Sequence, residues 1–212
     1  MSEQEQLREQ NKTSDYKFSP AANFLRKNPL LACGLAVSPA VLYADTLENA
    51  IILSMFMTLL TFLTLTISSF IPRKIVYTSR VILYTLIGAL MFVPIYILFS
   101  KIMPEKTVSM GIIAPLLITN PFIVSRSELQ FFRESKGKMF ADILTTLAGY
   151  DIAVIIIGFL RELLSTGGIG GQLYGIKYTF SGIGYPFGGF LAVGLLAAAV
   201  RLISRLVRRK SK

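Results

Sequence analysis

The sequence predicts an all-α integral membrane protein with six transmembrane segments, arranged as a 3+3 inverted repeat whose first and fourth segments are broken. Three observations support this fold class. Hydrophobic residues make up 53% of the 212 positions and charged residues only 16%, whereas a soluble domain carries about 25% charged residues. The charges flank apolar runs and leave their interiors almost free. Two short apolar stretches with internal prolines also occupy matching places in the two halves, which is the sequence signature of an inverted repeat.

Six apolar runs give the six predicted segments. The second, third, fifth and sixth are long enough to provide the roughly 20 residues that a membrane helix needs. The first and fourth are short and contain proline, so we interpret them as the broken ones. In chain order the segments are 30–43, 50–71, 81–102, 108–124, 140–163 and 187–206. They lie in a transmembrane domain of residues 28–207, between a polar tail (1–27) and a basic end (208–212).

The two broken segments align when Ser38-Pro39 is superposed on Asn120-Pro121. A proline inside a helix removes one backbone hydrogen bond and frees a carbonyl. Non-helical backbone at membrane depth is tolerated only where protein buries it or where it lines a cavity. We therefore interpret Pro39 and Pro121 as half-helix breaks that face each other across a pseudo-twofold axis. Two ordinary proline kinks are the structural alternative.

The positive charges test the number of crossings. If all six segments cross and the N-terminus is inside, 18 of the 22 Lys and Arg residues lie on the inner side and four on the outer side. Positive residues concentrate in cytoplasmic loops, so the bias supports six crossings with both termini in the cytoplasm. Because each half has three segments, the second half enters the membrane from the opposite face, as an inverted repeat requires.

Asp151 lies near the middle of the fifth segment. An acid at bilayer depth is costly and usually pairs or serves an ion or proton path. We interpret Asp151 as a possible ion or proton site; the alternative is that it only fixes helix packing. Arg161 and Glu162, at the outer end of the same segment, are predicted to snorkel and pair locally. The Gly-rich stretch 165–185 is predicted to be an irregular outer loop packed on the helix ends.

The composition also limits the chemistry of the chain. It has no histidine and one cysteine, Cys33, so no Cys-rich metal site or internal disulfide can form from this chain alone. Cys33 is interpreted as a small buried apolar side chain. The placement of the net charge of +10 around the apolar runs argues for a membrane protein and against a nucleic-acid partner.

The order of short motifs resembles the membrane subunits of Rnf and Nqr electron-transport complexes, in particular the RnfE and NqrD type. The resemblance runs from residue 28 to about residue 201. The motifs that carry it are Asn28-Pro29, Ser38-Pro39, Met110-Gly111-Ile112, Thr119-Asn120, Gly158-Phe159-Leu160-Arg161-Glu162-Leu163-Leu164, Pro186-Phe187-Gly188-Gly189-Phe190 and Gly194-Leu195-Leu196.

The resemblance implies the six-helix inverted repeat, a bacterial-type inner membrane, a sister membrane subunit of opposite topology and flavoprotein subunits as partners. In that family each sister subunit gives two cysteines to a shared 2Fe-2S cluster, held by four thiolates. The first of these positions falls on Ser38 and the second on Pro121. Serine is a poor substitute for a thiolate, and proline has no side-chain donor. We therefore expect no iron-sulfur ligation and no other metal site in this chain.

Three hypotheses follow. The first is a membrane subunit of an Rnf/Nqr-type ion-translocating electron-transport complex, which makes the chain at most a subunit of an oxidoreductase. The second is a non-redox transporter or channel on the same inverted repeat, which binds an ion or small solute between the breaks and uses Asp151 as the coupling acid. The third is a structural membrane partner with no site of its own.

Overall fold

Eight α-helices form the part of the chain that the computed structural model describes, namely residues 28–31, 34–72, 74–130, 136–170, 172–173 and 179–210. The predicted tail, Cys33 and the last two residues of the predicted basic end lie outside these ranges. The helices are α1 (Val37–Tyr43), α2 (Leu47–Ser68), α3 (Tyr77–Ile102), α4 (Pro104–Met110), α5 (Ile113–Leu116), α6 (Pro121–Gln130), α7 (Lys136–Thr166) and α8 (Pro186–Lys210).

Three of these helices, α2, α3 and α7, are long and apolar enough to cross a membrane. They have 22, 26 and 31 residues, and a helix of about 20 residues spans the hydrocarbon core. They coincide with the second, third and fifth predicted segments, and those predictions are confirmed. Helix α2 begins at a capped turn, in which the Thr46 hydroxyl accepts a 3.3 Å hydrogen bond from the Asn49 backbone N–H.

The first predicted segment is helical over only its last half. Helix α1 has seven residues, which is about 10 Å of helix. Just before it, Gly34 and Ala36 adopt left-handed backbone conformations with φ of 66° and 57°. A left-handed residue cannot continue a right-handed helix, so the helix can begin only after Ala36.

The fourth predicted segment is divided at Gly111. The stretches Pro104–Met110 and Ile113–Ser125 are together apolar enough for one span, but they are bent by 66° relative to each other. Gly111 has φ of 46° and ψ of −122°, a conformation that glycine tolerates because it has no Cβ. Such a bent pair fits either a broken span or a re-entrant loop.

The sixth predicted segment corresponds to helix α8. Its apolar part, Pro186–Leu202, has fewer than 18 residues and is shorter than the three spanning helices. Between α7 and α8, strand β1 (Gly168–Ile169) pairs with strand β2 (Gln172–Leu173) in an antiparallel hairpin. A 3-10 turn at Ser181–Gly184 then leads into α8.

The core is built on α2 and α7, which run antiparallel along most of their length. Near one end of the pair, the backbone N–H of Leu47 donates to the Glu162 carboxylate at 2.8 Å. One turn further along α2, a Cβ added at Gly158 would lie 2.5 Å from the Ala50 Cβ and 2.8 Å from a backbone oxygen of the preceding turn. Glycine at this position therefore permits the close approach of the two helices.

Candidate functional site

The first irregular segment comprises the described residues 28–31 and 34–43, which include the short helix α1. Asn28 attaches this segment to α7. This asparagine is 2% exposed. Its Oδ1 accepts hydrogen bonds from the backbone N–H groups of Leu30 at 3.0 Å and Leu31 at 3.2 Å. Its Nδ2 donates to the carbonyl oxygen of Gly149 at 2.7 Å. Asparagine side chains favour such turns because they replace a backbone acceptor. One side chain therefore shapes the local turn and joins the segment to α7.

The second irregular segment comprises residues 111–120, between α4 and α6, and includes the short helix α5. Asn120 makes a similar arrangement in this segment. It is 4% exposed, and its Oδ1 accepts from the backbone N–H of Phe122 at 3.0 Å. This is an N-cap at the start of α6, where Pro121 as the first helical residue has no N–H that needs a partner. The Asn120 Nδ2 lies 3.5 Å from the sulfur of Met57 on α2, a weak acceptor.

Each of the two asparagines contacts a helix that belongs to the other half of the chain. Asn120 follows Asn28 by 92 residues, and Gly149 follows Met57 by the same 92 residues. Asn28 in the first half contacts Gly149 in the second, and Asn120 in the second half contacts Met57 in the first. The contacts therefore match Asn28 with Asn120, whereas the sequence alignment matched Ser38 with Asn120.

Both prolines of the predicted breaks stand at helix starts. Pro39 is the third residue of α1 and Pro121 the first residue of α6. A proline in the first turn removes no intrahelical hydrogen bond, so neither proline interrupts the helix in which it stands. Pro39 is buried and Ser38 beside it is exposed. Helix α1 contacts α5, so the two irregular segments do meet.

A second residue of α7 also holds the first irregular segment. The hydroxyl of Tyr150 donates to the carbonyl oxygen of Ala36 at 3.2 Å, directly before α1. Tyr150 is 1% exposed. Because Ala36 is left-handed, its carbonyl points away from the usual helical direction, and the tyrosine supplies the partner that a buried carbonyl needs.

Asp151 lies at the same level of the bundle as these contacts. Its Oδ2 accepts a 2.6 Å hydrogen bond from the Thr58 hydroxyl of α2. Thr58 follows Met57, and Asp151 comes two residues after Gly149. The structure thus brings the predicted residue Asp151 to within about one helical turn of the contacts made by both irregular segments.

The predicted local pairing of Arg161 with Glu162 is wrong. Arg161 is 1% and Glu162 6% exposed. The Arg161 guanidinium donates to backbone carbonyls: to those of Val41 and Ala44, at the end of α1, at 2.8 Å each. It also donates to those of Ile183, Gly184 and Tyr185 before α8, at 3.1, 2.8 and 3.3 Å.

Each of these two charged side chains joins separate elements. The Glu162 carboxylate accepts from the N–H of Leu47 at 2.8 Å and from the N–H of Gly170 at 2.7 Å. Arg161 and Glu162 thus connect α1, α2, the hairpin and the 3-10 turn to α7. Snorkelling was the wrong prediction because the irregular loops cover this end of α7 and offer unpaired backbone groups. The described part of the predicted loop contacts both helices: the 3-10 turn packs on α7 and α8, and β1 packs on α7.

Clustered ligands for a metal ion are absent among the described residues, which hold no group of three or more His, Cys, Asp and Glu side chains. Cys33 falls outside them. Of the two positions matched to cluster cysteines, Ser38 offers a hydroxyl and Pro121 offers no side-chain donor atom. Around Gly149 and Asp151, the polar groups are therefore backbone carbonyls, asparagine amides, hydroxyls and the Asp151 carboxylate.

A comparison with protein families matches residues 19–206 of this chain to the family described as "Rnf-Nqr subunit, membrane protein". The chain is 25% identical to the E subunit of the ion-translocating oxidoreductase complex of Shewanella piezotolerans, over 93% of this chain and 92% of the relative. It is 26% identical to the E subunit of the Na(+)-translocating ferredoxin:NAD(+) oxidoreductase complex of Acetobacterium woodii, over 83% and 91%.

A third relative carries the name of a different complex. The chain is 27% identical to the D subunit of the Na(+)-translocating NADH-quinone reductase of Serratia proteamaculans, over 70% of this chain and 69% of the relative. The match to the family extends beyond both asparagine-bearing segments, helices α2 and α7, and Arg161. It thus covers every residue of the candidate site.

Proposed function

This chain belongs to the Rnf-Nqr family of membrane subunits, and we propose that it serves as the RnfE- or NqrD-type component of an ion-translocating electron-transport complex. The observation that carries the proposal is the family match over residues 19–206. Relatives named as subunits of two kinds of ion-translocating oxidoreductase complex support it. The chain acts as part of an enzyme and does not catalyse electron transfer by itself.

We infer that the described helices belong to six membrane segments in a 3+3 inverted repeat with broken first and fourth segments. The exchanged contacts of Asn28 and Asn120 support this, because two segments related by a twofold axis must contact each other's halves in the same way. The bend of 66° at Gly111 and the short helix α1 support the two breaks. Broken helices of this kind form the midplane sites of inverted-repeat proteins.

The proposed orientation has both termini in the cytoplasm of a bacterial-type inner membrane. The distribution of Lys and Arg supports it, since 18 of the 22 lie on the inner side of such a topology. The same proposal includes a sister membrane subunit of opposite topology and flavoprotein subunits as partners.

We propose that this chain does not ligate an iron-sulfur cluster in the manner of its family. The residues present do not fit the cluster: Ser38 has a hydroxyl in place of a thiolate, and Pro121 has no ligating atom. Pro121 also begins α6 beneath the Asn120 cap, so the position serves the local backbone. The role of the chain in the complex would then be structural and ion-handling.

Co-purification tests this function. An affinity tag on the chain in its native host should retrieve a second Rnf/Nqr-type membrane subunit and subunits that carry flavin, as detected by mass spectrometry and flavin fluorescence. Isolation of a homo-oligomer without any coloured cofactor would contradict it. Iron analysis of the same complex tests cluster ligation: iron that disappears on Ser38→Ala would contradict the absence of a cluster at this site.

The second candidate function is a non-redox ion or solute transporter on the same fold. The observation that favours it is Asp151, a carboxylate that accepts a hydrogen bond from Thr58 between α2 and α7. Uptake by vesicles that contain the purified chain alone would support it. Loss of that uptake on Asp151→Asn would assign the coupling role to this residue, and unchanged uptake would remove Asp151 from the mechanism.

A further inference from the structure

The connection that leads into α8 carries a cluster of exposed aromatic rings, and we call residues 180–187 the aromatic turn. The side chains of Phe180, Tyr185 and Phe187 are 63%, 64% and 65% exposed. The rings of Tyr185 and Phe187 stack with their centroids 6.4 Å apart. A Cβ added at Gly182 would lie 3.2 Å from the rings of both Phe180 and Phe187. The three rings therefore form one apolar surface, and exposed surfaces of this kind mark sites of interaction.

The backbone of the aromatic turn is bound to α7. The backbone N–H of Phe180 donates to the carbonyl oxygen of Leu164 at 2.8 Å. The buried guanidinium of Arg161 donates to the three consecutive carbonyl oxygens of residues 183–185. Irregular backbone at membrane depth is tolerated only where its polar groups are satisfied without lipid. These four groups of the aromatic turn meet that requirement, because protein atoms satisfy each of them.

The level of the aromatic turn along α7 corresponds to the edge of the hydrocarbon core. Residue 151 is the midpoint of α7 (Lys136–Thr166), and Arg161 lies ten residues from it, about 15 Å along the axis. The hydrocarbon core is about 30 Å thick, which is about 15 Å on each side of its centre. With α7 centred in the bilayer, a turn that is bound by Arg161 lies at the boundary between acyl chains and headgroups.

The length of α8 points to the same depth. Its uncharged part, residues 186–200, provides about 22 Å of helix, less than the roughly 30 Å of the hydrocarbon core. The uncharged sequence begins before the helix, however, since residues 178–200 contain no Asp, Glu, Lys or Arg. The aromatic turn lies within this uncharged stretch. It can therefore supply the missing apolar length at the start of α8.

We propose that the aromatic turn inserts its three rings into the boundary between headgroups and acyl chains, and that it anchors the start of α8 in the lipid bilayer. Aromatic residues are enriched at this boundary because an apolar ring suits the acyl chains and a polar tip suits the headgroups. The partner is thus the phospholipid itself. The inference rests on α8 as the sixth membrane segment of the proposed topology, and it does not require the electron-transport role.

Photocrosslinking in native membranes identifies what covers the rings. The variant Phe187→para-benzoylphenylalanine is expressed as the full chain together with the subunits that accompany it, and the membranes are irradiated. We expect mass spectrometry to find phospholipid attached to the peptide that contains position 187. A crosslink from this position to another protein, in place of lipid, would overturn the proposal.

The depth of the rings is measured with single tryptophans, because the chain contains none. The variants Phe187→Trp and Tyr185→Trp are purified as full chains and reconstituted in phosphatidylcholine vesicles. The phospholipids carry bromine either near the headgroup or near the end of the acyl chain. We expect the fluorescence of both variants to be quenched more by the shallow bromines than by the deep ones. Iodide in the water phase should quench both only weakly.

Two further variants calibrate the depth. Leu195 is exposed on α8, about 12 Å along the axis from Phe187, so Leu195→Trp should be quenched more by the deep bromines. Glu105 is exposed in the first turn of α4, so Glu105→Trp should be quenched by iodide.

The calibration separates failure of the aromatic turn from failure of the span. Iodide quenching of Phe187→Trp and Tyr185→Trp as strong as that of Glu105→Trp would overturn the insertion, even with Leu195→Trp deep in the lipid. Strong iodide quenching of Leu195→Trp as well would overturn the sixth segment together with the inserted turn.

Discussion

The side-chain amide of Asn28 donates a 2.7 Å hydrogen bond to the carbonyl oxygen of Gly149, 121 residues further along the chain. The same asparagine accepts two backbone hydrogen bonds in its own turn. A single buried side chain thus decides both the shape of the first irregular segment and its attachment to α7. Because Asn120 makes the exchanged contact with α2, each helix of the central pair holds one irregular segment.

Replacing Asn28 by alanine should lower the stability of the protein. The change removes three hydrogen bonds and leaves the backbone N–H groups of Leu30 and Leu31 without this acceptor, at a cost of about 1–3 kcal/mol for each buried group left unsatisfied. The midpoint of thermal unfolding in detergent, followed by size-exclusion fluorescence, measures the loss. Asn49→Ala is the control: its amide binds Asp45 at the partly exposed start of α2, so its effect should be within about 0.5 kcal/mol. Equal midpoints for both variants would show that Asn28 is not a stabilising contact.

Gly158→Ala should destabilise the α2–α7 pair. The new methyl would lie 2.5 Å from the Ala50 Cβ, which forces the helices apart at a cost of about 1–3 kcal/mol. The double variant Gly158→Ala, Ala50→Gly should recover part of the loss. Gly137→Ala is the control because nothing lies within 4 Å of an added Cβ there, and it should be neutral or slightly stabilising. Thermal midpoints compare all three; a neutral Gly158→Ala would contradict the close helix approach.

Arg161→Lys should destabilise the protein almost as much as Arg161→Met. The planar guanidinium reaches carbonyls of two separate elements with several N–H groups, and a lysine ammonium cannot reproduce that fork. Loss of the arginine leaves several buried carbonyls without donors, each worth about 1–3 kcal/mol. Arg201→Lys is the matched control, since Arg201 is exposed on α8. Limited proteolysis of the 167–185 loop in membranes gives the readout; an Arg161→Lys variant as resistant as the unaltered chain would refute the role.

Reporter fusions test the proposed orientation. A green fluorescent protein fused after Lys212 should fluoresce, because it folds in the cytoplasm. An alkaline phosphatase fused after Met103, between α3 and α4, should be active, because that junction lies on the outer side if both termini are inside. The reverse pattern of the two reporters would mean that the positive charges do not determine the topology of this chain.

The sequence was sufficient for features that depend on local composition. The length and apolarity of α2, α3 and α7 predicted three membrane helices, because crossing a bilayer requires a continuous apolar run. The order of short motifs predicted the family, which the match over residues 19–206 confirms. The break predicted at Ser38-Pro39 stays a prediction, because both residues lie in α1 and the left-handed residues Gly34 and Ala36 come before it.

Only the tertiary structure decided which groups pair. Arg161 was predicted to pair with its neighbour Glu162, but it binds carbonyls of residues 41–44 and 183–185. Ser38 was matched to Asn120 by its adjoining proline, whereas the hydrogen bonds match Asn28 to Asn120. These partners are more than 20 residues apart in sequence, so no spacing rule identifies them. Apolar length fixes which segments enter the membrane, while the need to satisfy each buried polar group is met only when distant segments pack together.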